Sequence, residues 1–261
     1  MATFKHISSK NANYGDAEKY LTFAHDEFTM KPTLDADGRL VPREDYRIST
    51  LNCGEEDFAV ACMRSNLRYG KNQKREDVKS HHYIISFDPR DGPDNGLTVD
   101  KAQELGEKFC REQFPGHQAI VCTHPDGHNQ SGNIHVHIVI NSLRIENVLL
   151  PYMDRPADTK AGCKHRCTDA AMEYFKSEVM ELCHEAGLYQ IDLLNGSANR
   201  VMRIISVPSW SRSSGCPAKP QSADTRSVWH RLKSGWESLT VCLSAFMRPM
   251  WLSASQMKGS L

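Results

Sequence analysis

The sequence has 261 residues, of which 39% are hydrophobic and 25% are charged, as is usual for a soluble globular protein. Basic and acidic residues are equal in number, 32 of each, which excludes a strongly basic chain, so any nucleic-acid contact has to come from local patches. No apolar run of about 18 residues predicts a transmembrane helix, and the N-terminus lacks the apolar core of a signal peptide. Nine cysteines at irregular spacings indicate reduced thiols, so we expect a cytoplasmic protein.

The first third of the chain predicts short strands that alternate with helices. Alternating residues predict a strand over 3–7, and apolar residues at helical spacing predict a helix over about 15–25. A second short strand is predicted over 47–53 and a second helix over 57–69. Residues 81–87 are rich in aromatic and β-branched side chains and predict a strong third strand.

The following part of the chain repeats this pattern with longer elements. Thr98 is a good N-cap for a helix that runs to about residue 114, and residues 118–123 predict the next strand. An edge strand is predicted over 152–155, and Thr168 caps a long helix over 169–186. Together these elements predict an α+β fold over residues 1–200, with a central, mostly antiparallel β-sheet and flanking helices.

Residues 134–141 carry the most informative motif, two histidines inside a β-branched, apolar run. Side chains alternate along a strand, so His135 and His137 project from the same face. The run ends in residues that are apolar on both faces, which predicts a strand buried on both sides. A hairpin loop joins it to the preceding strand, which ends at His124, so three imidazoles would meet and form a metal site with open coordination positions.

The roles of two residues near the histidine motif and of two tyrosines remain open from spacing alone. Asp126 and His128 lie in the loop after His124, and His128 competes with His124 for the third ligand position. Tyr20 lies on the apolar face of the first predicted helix, where the spacing favours a packed aromatic side chain. Tyr14, just before that helix, is a second candidate for tyrosine chemistry.

Residues 201–261 differ in kind from the rest of the chain. They hold all four tryptophans, many serines and only two acidic residues, Asp224 and Glu237, without a persistent helical or alternating pattern. We interpret this segment as an atypical Ser/Arg/Trp-rich tail, either disordered or produced by a change of reading frame. The domain organisation we expect is therefore a domain over 1–200 followed by this tail.

These motifs, in this order, resemble those of the relaxase/mobilisation nuclease family, the DNA-strand transferases of conjugative plasmids and transposons. The family's third motif is a histidine and an aspartate followed by His-hydrophobe-His and an apolar strand ending in Asn. It is matched here, with a longer loop, by His124, Asp126 and residues 134–141. The second motif, a serine at a strand end, is matched by Ser86, and the first, a tyrosine on an N-terminal helix, by Tyr20.

The resemblance implies a site- and strand-specific DNA-nicking enzyme that acts at a transfer origin. Tyr20 would attack a phosphodiester of single-stranded DNA and form a tyrosyl-DNA intermediate for later strand transfer. A divalent metal ion, Mg²⁺ or Mn²⁺ with Zn²⁺ as a further option, would polarise the phosphate. The residues assigned by the resemblance are the metal ligands His124, His135 and His137, Asp126 to orient a histidine or assist proton transfer, and Ser86 to contact the DNA near the cut.

The resemblance also implies a bacterial cytoplasmic setting. The partners would be single-stranded DNA, accessory relaxosome proteins and a coupling protein, with no membrane insertion. Family members usually continue well beyond the nuclease domain, so we expect nicking to survive here better than transfer functions that need a C-terminal region.

Three alternatives stay open on the sequence alone, of which one is a cytosolic zinc-binding α+β domain that would bind metal tightly but ignore DNA. In rolling-circle replication or transposition initiators the tyrosine typically lies on a helix after the histidine motif, and Tyr174 has such a position. The chain could also be an inactive truncated remnant that binds origin DNA without cutting it.

Overall fold

The computed structural model describes residues 3–26, 29, 31–125, 127, 132–190 and 192–194. The elements, in chain order, are the strands and helices β1 Thr3–Ser9, α1 Gly15–Thr22, β2 Arg47–Leu51, α2 Phe58–Tyr69, β3 Ser80–Ser86, α3 Asp91–Asn95, α4 Val99–Gln113, β4 His117–His124, β5 His135–Arg144 and α5 Asp169–Glu185. A 3₁₀ turn at Pro156–Thr159 precedes α5. The predicted tail over 201–261 lies outside the described residues.

The five strands form one sheet in the order β1-β3-β5-β4-β2. Every pairing among the described strands is antiparallel, which confirms the predicted α+β class with a central antiparallel sheet. The strand that carries the histidine motif, β5, lies in the middle. All of its residues after His135 are buried, as its apolar sequence predicts.

Helices cover both faces of this sheet, and the alternation of side chains along β5 decides which residues face which layer. Val136 and Ile138 point towards α4 and α5, where Phe109 and Phe175 complete one core. Val139, on the other face, belongs to a second core that α1 and α2 close through Leu21, Phe58 and Cys62. His135 and His137 share the face of Val139 and therefore lie on the α1 side of the sheet.

The two long helices begin where the sequence predicts. The Thr98 side chain accepts a hydrogen bond from the backbone N–H of Lys101 at the start of α4. The Thr168 side chain accepts one from Ala171 at the start of α5. Each bond satisfies an N–H that has no partner within its helix, so both caps are confirmed.

Helix α1 is shorter than predicted, because it ends at Thr22 rather than near residue 25. After Thr22 the chain turns into an irregular hairpin, in which Phe23 bridges Pro42 and His25 bridges Pro32. The backbone N–H of Ala24 donates to Val41 across this hairpin. The long-range pairing therefore overrides the helical pattern of the last predicted turn.

Strand β5 is longer than predicted, since it continues past Asn141 to Arg144. Polar residues at this point suggest a turn, but the Ser142 N–H donates to the Lys79 carbonyl and the Arg144 N–H to that of Cys163, which extends the ladder. The prediction of an edge strand over 152–155 is wrong. The chain forms a turn there, in which the Met153 N–H donates to the Leu150 carbonyl.

Two smaller details of the fold concern a short helix and an exposed side chain. The loop after β3 contains the short helix α3, whose αL cap at Gly96 returns N–H groups to the carbonyls of Asp91 and Gly92. Leu67, on α2, is exposed. None of the helices that the structure describes is long and apolar enough to cross a membrane.

Candidate active site

Three histidines converge at one end of the β4–β5 hairpin. His124 and His135 are directly opposite each other in the antiparallel register, and Cys122 is opposite His137. The ring centroids are 5.1 Å apart for His124 and His135, and 4.8 Å apart for each of the other two pairs. One ring nitrogen from each of the three lies within 4.8 Å of the others, so the group can hold a metal ion.

In two of these rings, one nitrogen forms a hydrogen bond with a backbone carbonyl and is therefore not available to a metal ion. His124 Nε2 lies 2.8 Å from the Leu21 carbonyl oxygen, and His135 Nδ1 lies 3.1 Å from that of Asn133. A carbonyl only accepts, so both of these nitrogens carry the proton. The unprotonated nitrogens, His124 Nδ1 and His135 Nε2, then face each other at 3.3 Å. Two converging lone pairs fit a cation between them, which is the arrangement that metal-binding histidines need.

The third histidine is held by a residue that the motif does not include. Nδ1 of His137 lies 2.8 Å from Nε2 of His82, on the neighbouring strand β3. Its Nε2 is therefore the nitrogen left for a metal ion. Sequence reasoning missed His82, although the alternation of β3 could have revealed it, since His82 lies two and four residues before Ile84 and Ser86 on one strand face.

Burial keeps the imidazoles of His124 and His137 neutral. Desolvation, reinforced by the charge of Arg43 and by His135, lowers the pKa of His124 to about 3. Desolvation and the neighbouring histidines also hold the pKa of His137 well below its ordinary value. Neutral imidazole is the form that binds metal ions, so His124 and His137 are in their ligating form at neutral pH.

Tyr20 lies beside this cluster, in the second turn of α1. The centroid of its ring is 6.0 Å from that of His137, 6.1 Å from His82 and 5.0 Å from His25. Burial raises the pKa of its phenol, and the charge of Arg43 opposes that rise. The structure thus brings the half-buried Tyr20 to the edge of the histidine cluster, where it also packs against the core on the α1 side of the sheet.

Arg43 is a second residue that sequence reasoning missed. Its backbone N–H donates to the Thr22 carbonyl, which brings it to the end of α1. Its charge lowers the pKa values of Tyr20, His124 and His137 together. No local motif could have revealed it, because the irregular hairpin after α1 delivers it to the site.

Ser86 lies at the same end of the sheet. It is the register partner of His135 across β3 and β5, and its side chain is partly buried on the same face. Asp126 and His128 lie outside the described residues, so the structure says nothing about either. Of the two candidates for the third ligand position, His124 belongs to the converging group.

The other two tyrosines that the sequence raised lie elsewhere. The Tyr14 hydroxyl is buried, donates to the Lys79 carbonyl at 3.0 Å and accepts from the Asn66 amide at 2.7 Å. Burial raises its pKa to about 12. Tyr174 packs against Tyr152 with 5.4 Å between ring centroids, in the core on the α5 side of the sheet.

The family of this chain follows from a comparison with family models. The model described as "Relaxase: MobA/VirD2-like, nuclease domain" matches residues 41–188, which is more than half of the chain. This chain belongs to the MobA/VirD2-like relaxase family. The matched segment includes the three histidines, His82, Arg43 and Ser86, whereas Tyr20 lies before it.

Two curated relatives of this relaxase-family chain are both named "Protein rlx" and come from Staphylococcus aureus. One is 28% identical over 140 residues, covering 54% of this chain and 36% of the relative. The other is 34% identical over 99 residues, covering 38% of this chain and 26% of the relative. The matched part of the chain thus spans about a third or less of the curated relatives' length.

Solved structures with some similarity include one described as "Molecular Basis of Vancomycin Resistance Transfer in Staphylococcus aureus". It has a TM-score of 0.43 and 14% identity, and the match covers 71% of this chain and 92% of that one. A metal-bound structure of the conjugative relaxase TrwC in complex with OriT DNA has a TM-score of 0.36 and 11% identity. That match covers 73% of this chain and 72% of the other.

Proposed function

We propose that this relaxase-family chain nicks single-stranded DNA at a transfer origin, with Tyr20 as nucleophile, and retains the cut strand as a tyrosyl adduct. What supports this most is the 6.0 Å between the ring centroids of Tyr20 and His137, which brings a phenol next to a metal-competent histidine group. Family membership supplies the reaction class, a DNA relaxase nuclease. The nuclease activity would reside in residues 1–200.

The phenol oxygen of Tyr20 would attack the scissile phosphorus. A Tyr20 oxygen–phosphorus bond forms, the bond to the 3′-oxygen breaks, and the proton lost by the phenol is balanced by one gained at the 3′-oxygen. A divalent metal ion bound by His124, His135 and His137 would stabilise the charge that develops on the phosphate oxygens. Arg43, whose charge already opposes the raised pKa of Tyr20, would favour the phenolate during attack.

Two assigned residues would assist this step. Ser86, opposite His135 at the end of β3, would contact the DNA next to the cut. Asp126 would orient a histidine or take part in proton transfer. Because the phosphotyrosyl bond conserves the energy of the phosphodiester, the product suits strand transfer better than hydrolysis. Accessory relaxosome proteins and a coupling protein in the bacterial cytoplasm would complete that reaction.

The geometry argues against the initiator alternative. Tyr174 packs with Tyr152 on the α5 side of the sheet, whereas the histidine group faces α1. A nucleophile has to approach within bonding distance of the phosphorus bound at the metal. Tyr174 could do so only after α5 left its core, in which Phe175 and Val179 are fully buried.

A covalent-adduct assay tests the proposal. The protein is incubated with Mn²⁺ and labelled single-stranded oligonucleotides that tile the transfer region of its own mobile element, and adducts are separated on a denaturing gel. We expect a shifted band that disappears in Tyr20→Phe and His135→Ala and persists in the matched control Tyr174→Phe. A band lost only in Tyr174→Phe would move the chain to the initiator class. Origin binding without any band would indicate an inactive remnant.

A further inference from the structure

The side chain of His82 has one specific contact that the proposed chemistry does not yet use. Its Nε2 atom lies 2.8 Å from Nδ1 of His137, within ordinary hydrogen-bonding distance. The two rings are 5.0 Å apart and inclined at 42°. His82 is opposite Val139 in the β3–β5 register, so its ring reaches diagonally along the sheet to His137.

The direction of this hydrogen bond decides whether His137 can bind a metal ion. A neutral imidazole carries one proton, on either Nδ1 or Nε2. With the proton on Nδ1, His137 donates to His82 and its Nε2 has a free lone pair. With the proton on Nε2, His137 accepts from His82 and presents an N–H to the site, which no cation tolerates. The partner of His137 therefore selects between a ligating and a non-ligating state.

In the other two histidines of the group, a backbone carbonyl fixes which ring nitrogen carries the proton. The acceptor is the carbonyl of Leu21 for His124 and that of Asn133 for His135. His137 lies in the middle of β5, which pairs with β3 on one side and with β4 on the other. Among the described residues, the hydrogen bond found at its Nδ1 is to a side chain rather than to a backbone carbonyl. His82 is the side chain that supplies this contact.

We propose that His82 is a positioning residue that accepts the Nδ1 proton of His137 and so holds His137 in the tautomer that binds the metal ion. This inference rests on the proposed function in that it takes the three-histidine group as a metal site. His82 would neither contact the metal nor the DNA, and it acts only through His137. Such outer partners of metal-ligating histidines typically contribute about 10- to 100-fold in metal affinity.

Calorimetric titration of the metal-free protein with Mn²⁺ tests the proposal without DNA. We expect His82→Phe, which keeps a ring but removes the acceptor, to raise the Kd for Mn²⁺ by about 10- to 100-fold. We expect His82→Gln, whose amide oxygen can still accept from His137, to stay close to wild type. Thermal unfolding in chelator should show both variants folded.

His25→Phe is the matched control. His25 also lies against Tyr20, at 5.0 Å between ring centroids, but its Nδ1 bonds to the Phe23 carbonyl rather than to the histidine group. Its replacement should leave the Kd for Mn²⁺ unchanged. A His82→Phe protein that binds Mn²⁺ as tightly as wild type would overturn the proposal. Equal losses in His82→Phe and His82→Gln would do so too, because packing rather than proton acceptance would then be responsible.

If His82→Phe does not fold, a second measurement tests the tautomer of His137 directly. Long-range ¹H–¹⁵N spectra of the wild-type protein report which ring nitrogen of each histidine is protonated. A proton on Nδ1 of His137 supports the proposal, and a proton on Nε2 overturns it. Failure of the nicking reaction is a separate result: a wild-type protein that binds Mn²⁺ in a His82-dependent way but forms no DNA adduct would refute the proposed function alone.

Discussion

The Nε2 atom of His124 lies 2.8 Å from the backbone carbonyl oxygen of Leu21, the residue that follows Tyr20. This carbonyl belongs to the last turn of α1, where carbonyls have no partner within the helix. The imidazole N–H satisfies it and, in doing so, ties the helix of the tyrosine to the end of β4. One side chain thus couples the position of Tyr20 to the histidine group.

This tether predicts unequal stability costs for two of the histidines. In metal-free protein, His124→Ala should lower the free energy of unfolding by about 1–3 kcal/mol more than His135→Ala, because it leaves the Leu21 carbonyl with only the weak donor of the Cys122 thiol, 3.9 Å away. His135 is partly exposed and bonds within its own loop, to Asn133. Urea unfolding in the presence of chelator measures both variants. A cost for His135→Ala equal to or above that of His124→Ala would contradict the tether.

The donor set of the site predicts its metal preference. His124, His135 and His137 offer three imidazole nitrogens, and Mg²⁺ prefers oxygen ligands in octahedral geometry. Imidazole suits the transition metals, with affinity rising from Mn²⁺ to Ni²⁺. We expect calorimetry to show that Ni²⁺ binds most tightly, Mn²⁺ less tightly and Mg²⁺ most weakly. Binding of all three ions should be lost in His135→Ala. Mg²⁺ binding as tight as that of Mn²⁺ would show that oxygen ligands dominate the site.

Tyr14 and Tyr20 should respond in opposite ways to loss of their hydroxyl groups. Tyr14→Phe leaves the buried Lys79 carbonyl and the Asn66 amide without this partner, so the free energy of unfolding should fall by about 1–3 kcal/mol. The folded variant should still form the DNA adduct. Tyr20→Phe should lose the adduct and keep its stability. Adduct formation and thermal unfolding, measured on both variants, test this reciprocal pattern, and an adduct lost from folded Tyr14→Phe protein would refute it.

Gly106 in α4 lets that helix approach the strand that carries the histidines. A Cβ atom at Gly106 would collide with Val136 Cγ1, and Val136 lies between His135 and His137. Gly106→Ala should therefore destabilise the protein by about 1–3 kcal/mol, even though alanine favours a helix intrinsically. The double variant Gly106→Ala/Val136→Ala should recover part of this cost. A Gly106→Ala protein with an unchanged free energy of unfolding would contradict the close packing of α4 on β5.

Buried histidines on the opposite face predict loss of stability in acid. Burial lowers the pKa of His81 to about 3 and that of His117 to about 3, and it holds that of His165 well below its ordinary value. These folded pKa values lie below the unfolded value of 6.5, so the unfolded chain binds more protons as pH falls. The stability that these neutral, buried histidines allow is fully present above pH 6.5. It is lost progressively as the pH falls from 6.5 to about 3.

His81→Asn tests this dependence. Between pH 7.5 and 5.5 one such histidine changes the free energy of unfolding by roughly 1.4 kcal/mol, so the variant should show a pH dependence that is weaker by about this amount. The Asn side chain can still bond to His6, which lies 2.9 Å from Nδ1 of His81. Denaturant unfolding at the two pH values measures the difference. The wild-type protein, measured at the same two pH values, is the reference.

Most of the fold could be predicted from local sequence patterns, and the errors of that prediction have a common cause. The capping of α4 and α5 by threonines is a property of short segments, and the structure confirms both caps. The predicted helix end near residue 25 and the predicted strand over 152–155 depend on pairings with distant segments. Residues 23 and 25 pair across a hairpin with Pro42 and Pro32, which no local pattern reports.

By itself, the sequence determined the class of the fold and the histidine pair on β5, because strand alternation requires His135 and His137 to share a face. It also determined that His124 ends the neighbouring strand. Only the tertiary structure decided which tyrosine lies beside these histidines and that His82 and Arg43 join them. These residues come from three separate segments, and their meeting depends on strand order and on the path of the chain after α1, which arise from long-range pairing rather than from local periodicity.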